Sequence, residues 1–225
     1  MTLLLTVPFV LLSYLLGSVP SGYLVGKLVY HKDIRKLGSG NIGATNVLRV
    51  LGKRPAAFCF IADPAKGFIS VWLLGGLATR LAGTSPELAQ VACGAAAIAG
   101  HNWPVFLRFH GGKGVNTSLG VFLAIAPMAT LCAIVVFGAA FVASSYVSVG
   151  SLAAAVVFPI AQYALNKTVD PIFWFACAAS LCLIIRHKGN LTRLIAGREL
   201  RAGDHRPKAA AEGEPQEGAQ GGGRG

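Results

Sequence analysis

Between residues 119 and 185 only Lys167 and Asp170 are charged, and the rest of that stretch is apolar or small. A run of this length offers no polar face to water. In a chain of 225 residues, 54% hydrophobic and only 13% charged, it makes the bilayer the solvent to fold into. Hydrocarbon leaves backbone N–H and C=O groups no partner but one another, so the apolar segments are expected as helices. Breaks are expected near Pro127–Ala129, Ser144–Ser151 and Asn166–Pro171.

The N-terminal run TLLLTVPFVLLSYLLGSVPSGYLVG has no basic residues ahead of it, and reads as a first span rather than a cleaved signal. That span covers Thr2 to Val29, interrupted by Pro8 and Pro20, with local unwinding expected at SVPSG. A second runs from near Pro55 to before Arg80 and carries Asp63 and Lys66. Three residues apart, these share a helix face and can neutralise each other at a depth where charge is costly, as a structural pair lining the site. A third covers Leu88 to about Trp103.

The formal charge of +11 is uneven. From Arg198 onward basic and acidic residues balance, so the excess lies in short loops: Lys27 to Arg54, Arg108 with Lys113, and Arg186 to Arg193. Short basic loops between apolar spans mark the cytoplasmic side, and a nucleic-acid-binding surface would need a soluble basic face instead. If Lys113 and the 186–193 cluster both lie inside, an even number of crossings separates them. Four shortish helices fit the intervening apolar run better than two. The expected fold is therefore all-α: a polytopic membrane bundle of seven transmembrane helices, N-terminus outside and C-terminus cytoplasmic, with five spans as the alternative. Residues 1–199 form one domain, and 200–225 read as a polar, disordered tail. Cys59, Cys93, Cys132, Cys177 and Cys182 sit in apolar runs without a CxxC pair, as small hydrophobes do.

Set among these spans, GSGNIGATNVLRVLGKR at 38–54 is conspicuously polar. Gly38, Gly40 and Gly43 let the backbone turn tightly, and Ala44 to Leu51 reads as a helix bearing Arg49. A glycine turn opening into a helix suits a phosphate or carboxylate. Gly38-x-Gly40-x-x-Gly43 matches the dinucleotide fingerprint, but no strand precedes it and no βαβ unit surrounds it. Gly111-Gly112-Lys113-Gly114 resembles half a P-loop; the first glycine of that motif would fall at Leu107, so it is not one. The polar patches 38–54, 101–118, 146–151 and 186–193 should converge on one face. They hold Ser, Asn, Thr, Gly and isolated cations with almost no carboxylate, which argues against an acid pair or a carboxylate metal centre. No metal or other cofactor is expected. His101 and His187 are each candidates for a base or for a structural hydrogen bond.

The ordered set SVPSGYLVGK (18–27), SGNIGATNVLRVLGK (39–53), DPAKG (63–67), GHNWPVFLRFHGGKGVNTSLG (100–120), YVSVGS (146–151) and RHKGNLTRLIAGRE (186–199) resembles the bacterial integral-membrane acyl-phosphate:glycerol-3-phosphate acyltransferase family. The resemblance runs through residues 3–199. It implies seven helices with a cytoplasmic-side site in the bacterial plasma (inner) membrane. The implied reaction moves a fatty acyl group from acyl phosphate to the sn-1 hydroxyl of glycerol 3-phosphate, releasing phosphate and giving 1-acylglycerol 3-phosphate (lysophosphatidic acid), the first acylation of bacterial phospholipid synthesis. Acyl phosphate, glycerol 3-phosphate and the bilayer are the implied partners, with the soluble enzyme that makes acyl phosphate a further one and nucleic acid none. The HxxxxD motif of other glycerolipid acyltransferases is absent: Lys36, Phe106, Val115, Thr192 and Ala210 follow the five histidines at that spacing.

By the same resemblance Asn190, His187 and Lys113 are the catalytic candidates. Ser39, Gly40, Asn41, Gly43, Thr45, Asn46, Arg49, Gly111, Gly112, Gly114, Ser148 and Ser151 would bind substrate or its phosphates, Ser151 being preferred to Ser148. An acyl phosphate is already activated, so no covalent nucleophile is needed, and two phosphate-bearing substrates call for cations and neutral donors. The competing class is a transporter or channel for an organic phosphate anion, which should show repeated halves and a mid-membrane site; no internal repeat is visible.

Overall fold

The computed structural model describes residues 2–204, and those residues form helices without a strand. Helix α1 (Thr2–Ser18) ends at Val19-Pro20, and α2 (Ser21–Leu24) runs on through a π turn, Val25–Val29. The two parts meet at 41°. Pro8 lies inside α1 without breaking it, so of the two prolines only Pro20 interrupts the span. A 3-10 turn at Ile34–Lys36 and the glycine-rich segment lead to α3 (Ala44–Leu51). Next, α4 (Lys53–Ile69), a π turn (Ser70–Gly75) and α5 (Gly76–Ala82) make one continuous apolar rod.

The remaining helices are α6 (Pro86–Asn102), α7 (Val115–Ile125), α8 (Pro127–Ser144), α9 (Val147–Asn166), α10 (Pro171–Arg186) and α11 (Lys188–Ile195). Proline occupies the first turn of α6, α8 and α10, where its missing N–H costs nothing. Ser85 and Asp170 cap α6 and α10 by accepting from Leu88 N–H and Phe173 N–H. Four helices, α7 to α10, lie between Lys113 and His187. Among the described residues three helices are long and apolar enough to cross a membrane alone, or five if each bent pair counts as one span. With 17 and 11 residues, α6 and α7 fall short of that length.

The distribution of side chains is inverted relative to a water-soluble protein. Trp72, Val135, Val142 and Leu181 face outward, while Ser13, Asn46, Asp63, Lys66, Asn102 and Thr117 are buried. Lipid tails are as apolar as leucine, so helices in a bilayer associate through close packing and polar contacts rather than by hiding hydrocarbon. The α4–α7 crossing shows the first: a Cβ on Gly67 would meet the Thr117 carbonyl, and one on Gly120 the Pro64 carbonyl. Two apolar clusters flank the polar interior. One joins Val71, Ala97, Val121, Phe122, Phe158 and Phe175; the other packs Ile34, Ile42, Val47, Cys59 and Leu107 beneath α3.

Candidate active site

Asn46 builds the glycine-rich segment. Its buried amide donates to the carbonyls of Ile34, Leu37 and Asn41 and accepts from Ser39 N–H at 2.8 Å. Asn41 accepts from Gly43 N–H at 2.8 Å, an Asx turn leading into α3. Both asparagines, expected to bind substrate, line the cavity and also shape the turn, Asn41 through its oxygen and Asn46 through its whole amide. They hold Ser39, Thr45 and Arg49 on its cavity side. Gly40, at φ +73°, lets the turn close but does not line the cavity; Gly43 does.

The second wall comes from the 101–116 stretch. Gly112 N–H donates to the His101 carbonyl at 3.0 Å, and a Cβ on Gly112 would collide with the His101 ring. Gly114, at φ +79°, lies against the Asn102 side chain, which a Cβ would strike. Lys113 is thereby carried into the cavity beside Gly114 and Asn116, whereas Gly111 and Gly112 lie behind it. Its ammonium donates to the amide oxygen of Asn190, a neutral acceptor. Burial, the largest effect, pulls its pKa down from 10.5 to about 8, with Arg193, Arg49 and Arg186 adding repulsion and Glu199 opposing.

Helices α9 to α11 close the third side. His187 sits at the α10–α11 turn, 2% exposed, with Nδ1 2.9 Å from the Leu183 carbonyl. A carbonyl can only accept, so Nδ1 carries the proton and Nε2 keeps its lone pair. Asn190 Nδ2 donates to Glu199, which also accepts from Ser148 Oγ at 2.9 Å and Arg193 Nε at 2.8 Å. Ser151, expected to be the ligand of this pair, donates to the Val147 carbonyl at 2.8 Å; both serines line the cavity.

Together the walls enclose about 510 Å³. All four polar patches contribute, although they are separated by as many as 150 residues along the chain. Two contributions escaped the sequence reading. The first is Glu199, a carboxylate where almost none was expected. The second is the chain just after it: Arg49 Nη2 donates to the carbonyls of Leu200 (3.0 Å) and Arg201 (3.2 Å), and Ala202 N–H donates to that of Ser145. Of the tail expected from residue 200, Leu200 and Ala202 line the cavity, and the disorder expected of 205–225 lies outside the described residues. Asp63 with His101 stands at the back of the cavity, where the Asp63–Lys66 pair was expected to line the site. Asp63 pairs with Lys66 at 2.9 Å, accepts from Ser21 Oγ at 2.6 Å and lies 3.8 Å from His101 Nδ1. Lys66 also donates at 2.9 Å to the carbonyl of Val19, in the break between α1 and α2. A buried charge pair this well satisfied can persist at depth. The only local signal was the i, i+3 spacing of Asp63 and Lys66.

A second chamber, about 350 Å³ and almost wholly apolar, lies between α7, α8, α9 and α10. Phe122, Ala133, Ile134, Ala155, Phe158 and Leu183 line it, and it shares Phe60, Val115, Asn116, Phe137 and Ser151 with the polar cavity.

Residues 7–197 match the family model described as glycerol-3-phosphate acyltransferase. A glycerol-3-phosphate acyltransferase of Endomicrobium trichonymphae is 43% identical over 193 residues, covering 86% of this chain and 94% of that protein. One from Prochlorococcus marinus (strain MIT 9215) is 42% identical over 188 residues, covering 83% and 92%. Among solved structures, the glycerol 3-phosphate form of PlsY, an integral membrane glycerol 3-phosphate acyltransferase, superposes with a TM-score of 0.78 at 36% identity, covering 87% of this chain and 94% of that one. The lysophosphatidic acid form of the same enzyme gives 0.76 at 35% identity.

Proposed function

The chain belongs to the glycerol-3-phosphate acyltransferase family, and from that premise we propose that its polar cavity receives two phosphate-bearing substrates, glycerol 3-phosphate and acyl phosphate. One observation carries this reading. A cavity walled by Ser39, Arg49, Lys113 and Asn190 adjoins an apolar chamber, and the two share Phe60 and Phe137 at their boundary. That pairing matches a molecule with an anionic head and a long hydrocarbon tail. The acyl chain lies in the apolar chamber, placing its carbonyl at the boundary.

In the proposed step the sn-1 hydroxyl oxygen of glycerol 3-phosphate attacks the acyl carbonyl carbon. The bond from that carbon to the phosphate oxygen breaks, its electron pair leaves with inorganic phosphate, and an ester remains. The hydroxyl proton goes to a substrate phosphate oxygen; the lone pair on His187 Nε2 is the alternative acceptor. Lys113 and Arg49 balance phosphate charge, Ser39 donates a hydrogen bond to phosphate, and Asn190, oriented by Glu199, positions the reacting groups.

The same reading has seven spans, N-terminus outside, in the bacterial plasma membrane, with the cavity open to the cytoplasm. Short basic loops on the cavity side support that orientation. The test is purified protein supplied with glycerol 3-phosphate and either acyl phosphate or acyl-CoA. Lysophosphatidic acid should form from acyl phosphate, in the presence of chelator. Turnover with acyl-CoA alone would overturn the donor assignment.

A further inference from the structure

Arg186 is the last residue of α10 and does not line the cavity, yet its guanidinium has an unusual set of partners. Nε donates to the Gly112 carbonyl at 3.2 Å. Nη2 donates to the same oxygen at 2.5 Å, to the Gly111 carbonyl at 3.2 Å and to the Asn102 carbonyl at 3.4 Å. The group also lies 5.6 Å from the centre of the Trp103 ring. Among the described residues Arg186 has no carboxylate partner within ion-pair distance; its fork is engaged by main-chain oxygens of two segments, 102 and 111–112.

Those oxygens belong to the loop that presents Lys113. A Gly-Gly-Lys-Gly sequence has little conformational preference of its own. Its shape must come from outside partners: Gly112 N–H on the His101 carbonyl from one side and Arg186 from the other. In a trans peptide the N–H points opposite to the C=O, so a Gly112 carbonyl held on Arg186 turns the Lys113 N–H away from it. Carbonyl oxygens gathered on a cation are also kept from facing an incoming anion. A lysine could supply the charge but not a planar fork reaching several acceptors at once.

We propose that Arg186 is a positioning residue for acyl transfer: by drawing the carbonyls of Asn102, Gly111 and Gly112 onto one guanidinium, it sets the loop so that the Lys113 ammonium meets substrate phosphate. The inference rests on the reading of Lys113 as a phosphate ligand. Its test is a double-mutant cycle in purified protein, measuring kcat/KM with acyl phosphate and glycerol 3-phosphate for Arg186→Gln, Lys113→Ala and the double variant, beside their melting curves. Arg186→Gln should lower kcat/KM roughly ten- to a hundred-fold. In the Lys113→Ala background the same change should cost less than about threefold, because the group it positions is gone. Arg186→Lys should fall between wild type and Arg186→Gln, and it completes the same cycle if Arg186→Gln does not fold. Equal losses in both backgrounds, tracking a fall in melting temperature, would make Arg186 a fold clamp and overturn the inference. So would wild-type activity in Arg186→Gln beside a disabled Lys113→Ala. Full activity in Lys113→Ala would instead remove the phosphate-site reading on which it stands.

Discussion

Lys113 is a cation in a site that penalises it. Its pKa is pulled to about 8, so the ammonium is lost as pH rises through that value. The activity of the free enzyme should decline above about pH 8. Between pH 8 and the ordinary lysine value of 10.5 the unfolded chain binds a proton that the folded one has released, so this residue's contribution to stability rises with pH there. Falling kcat/KM without a falling melting temperature is therefore expected, and Lys113→Arg should move the decline to higher pH. A profile flat to pH 9.5 would show that the charge of Lys113 is not used. Glu199 is the opposite case, an anion surrounded by donors from Ser148, Asn190 and Arg193. Glu199→Gln weakens three charge-assisted hydrogen bonds, of which Arg193's alone is worth roughly 1.5–3 kcal/mol. Both the melting temperature and the activity should fall; an unchanged melting curve would contradict this role.

The helices carry the site through their crossings. Gly120 meets the Pro64 carbonyl where α7 passes α4, so Gly120→Ala must push two backbones apart. A loss of roughly 1–3 kcal/mol is expected, read as an earlier thermal transition in detergent. Gly76→Ala, whose Cβ would meet nothing within 4 Å, should be neutral or slightly stabilising. Equal effects of the two substitutions would mean that the crossing is not tight. Helix ends were legible because proline and capping residues are local signals: Pro86, Pro127 and Pro171 each start a helix. The polar patches were legible because Ser, Asn and Lys stand out against apolar sequence. Their partners were not. Nothing near Arg186 in the chain announces carbonyls at 102 and 111–112, and nothing near Asp63 announces His101. Glu199 closed the expected domain without a role of its own, since the donors that define it sit 6 to 51 residues away.

Across the whole molecule, four patches spread from residue 38 to residue 193 form one cavity, and α1 to α10 hold it against lipid. Under the proposed seven spans, single cysteines at Lys188 and Thr168, in a background without accessible native cysteines, should label from opposite sides: 188 from the cytoplasm and 168 from outside. Labelling of both from one side would return the topology to five spans. The phosphate cavity itself is tested most directly by comparing kcat/KM for Lys113→Ala and Lys53→Ala in the acyl-phosphate reaction. Lys113 lines the cavity, whereas Lys53 is exposed at the start of α4 and does not. Losing a charge-assisted contact should lower the first by roughly ten- to a hundred-fold while the second stays within about twofold of wild type. Near-normal turnover by Lys113→Ala, with Lys53→Ala inactive, would contradict the placement of the phosphate site.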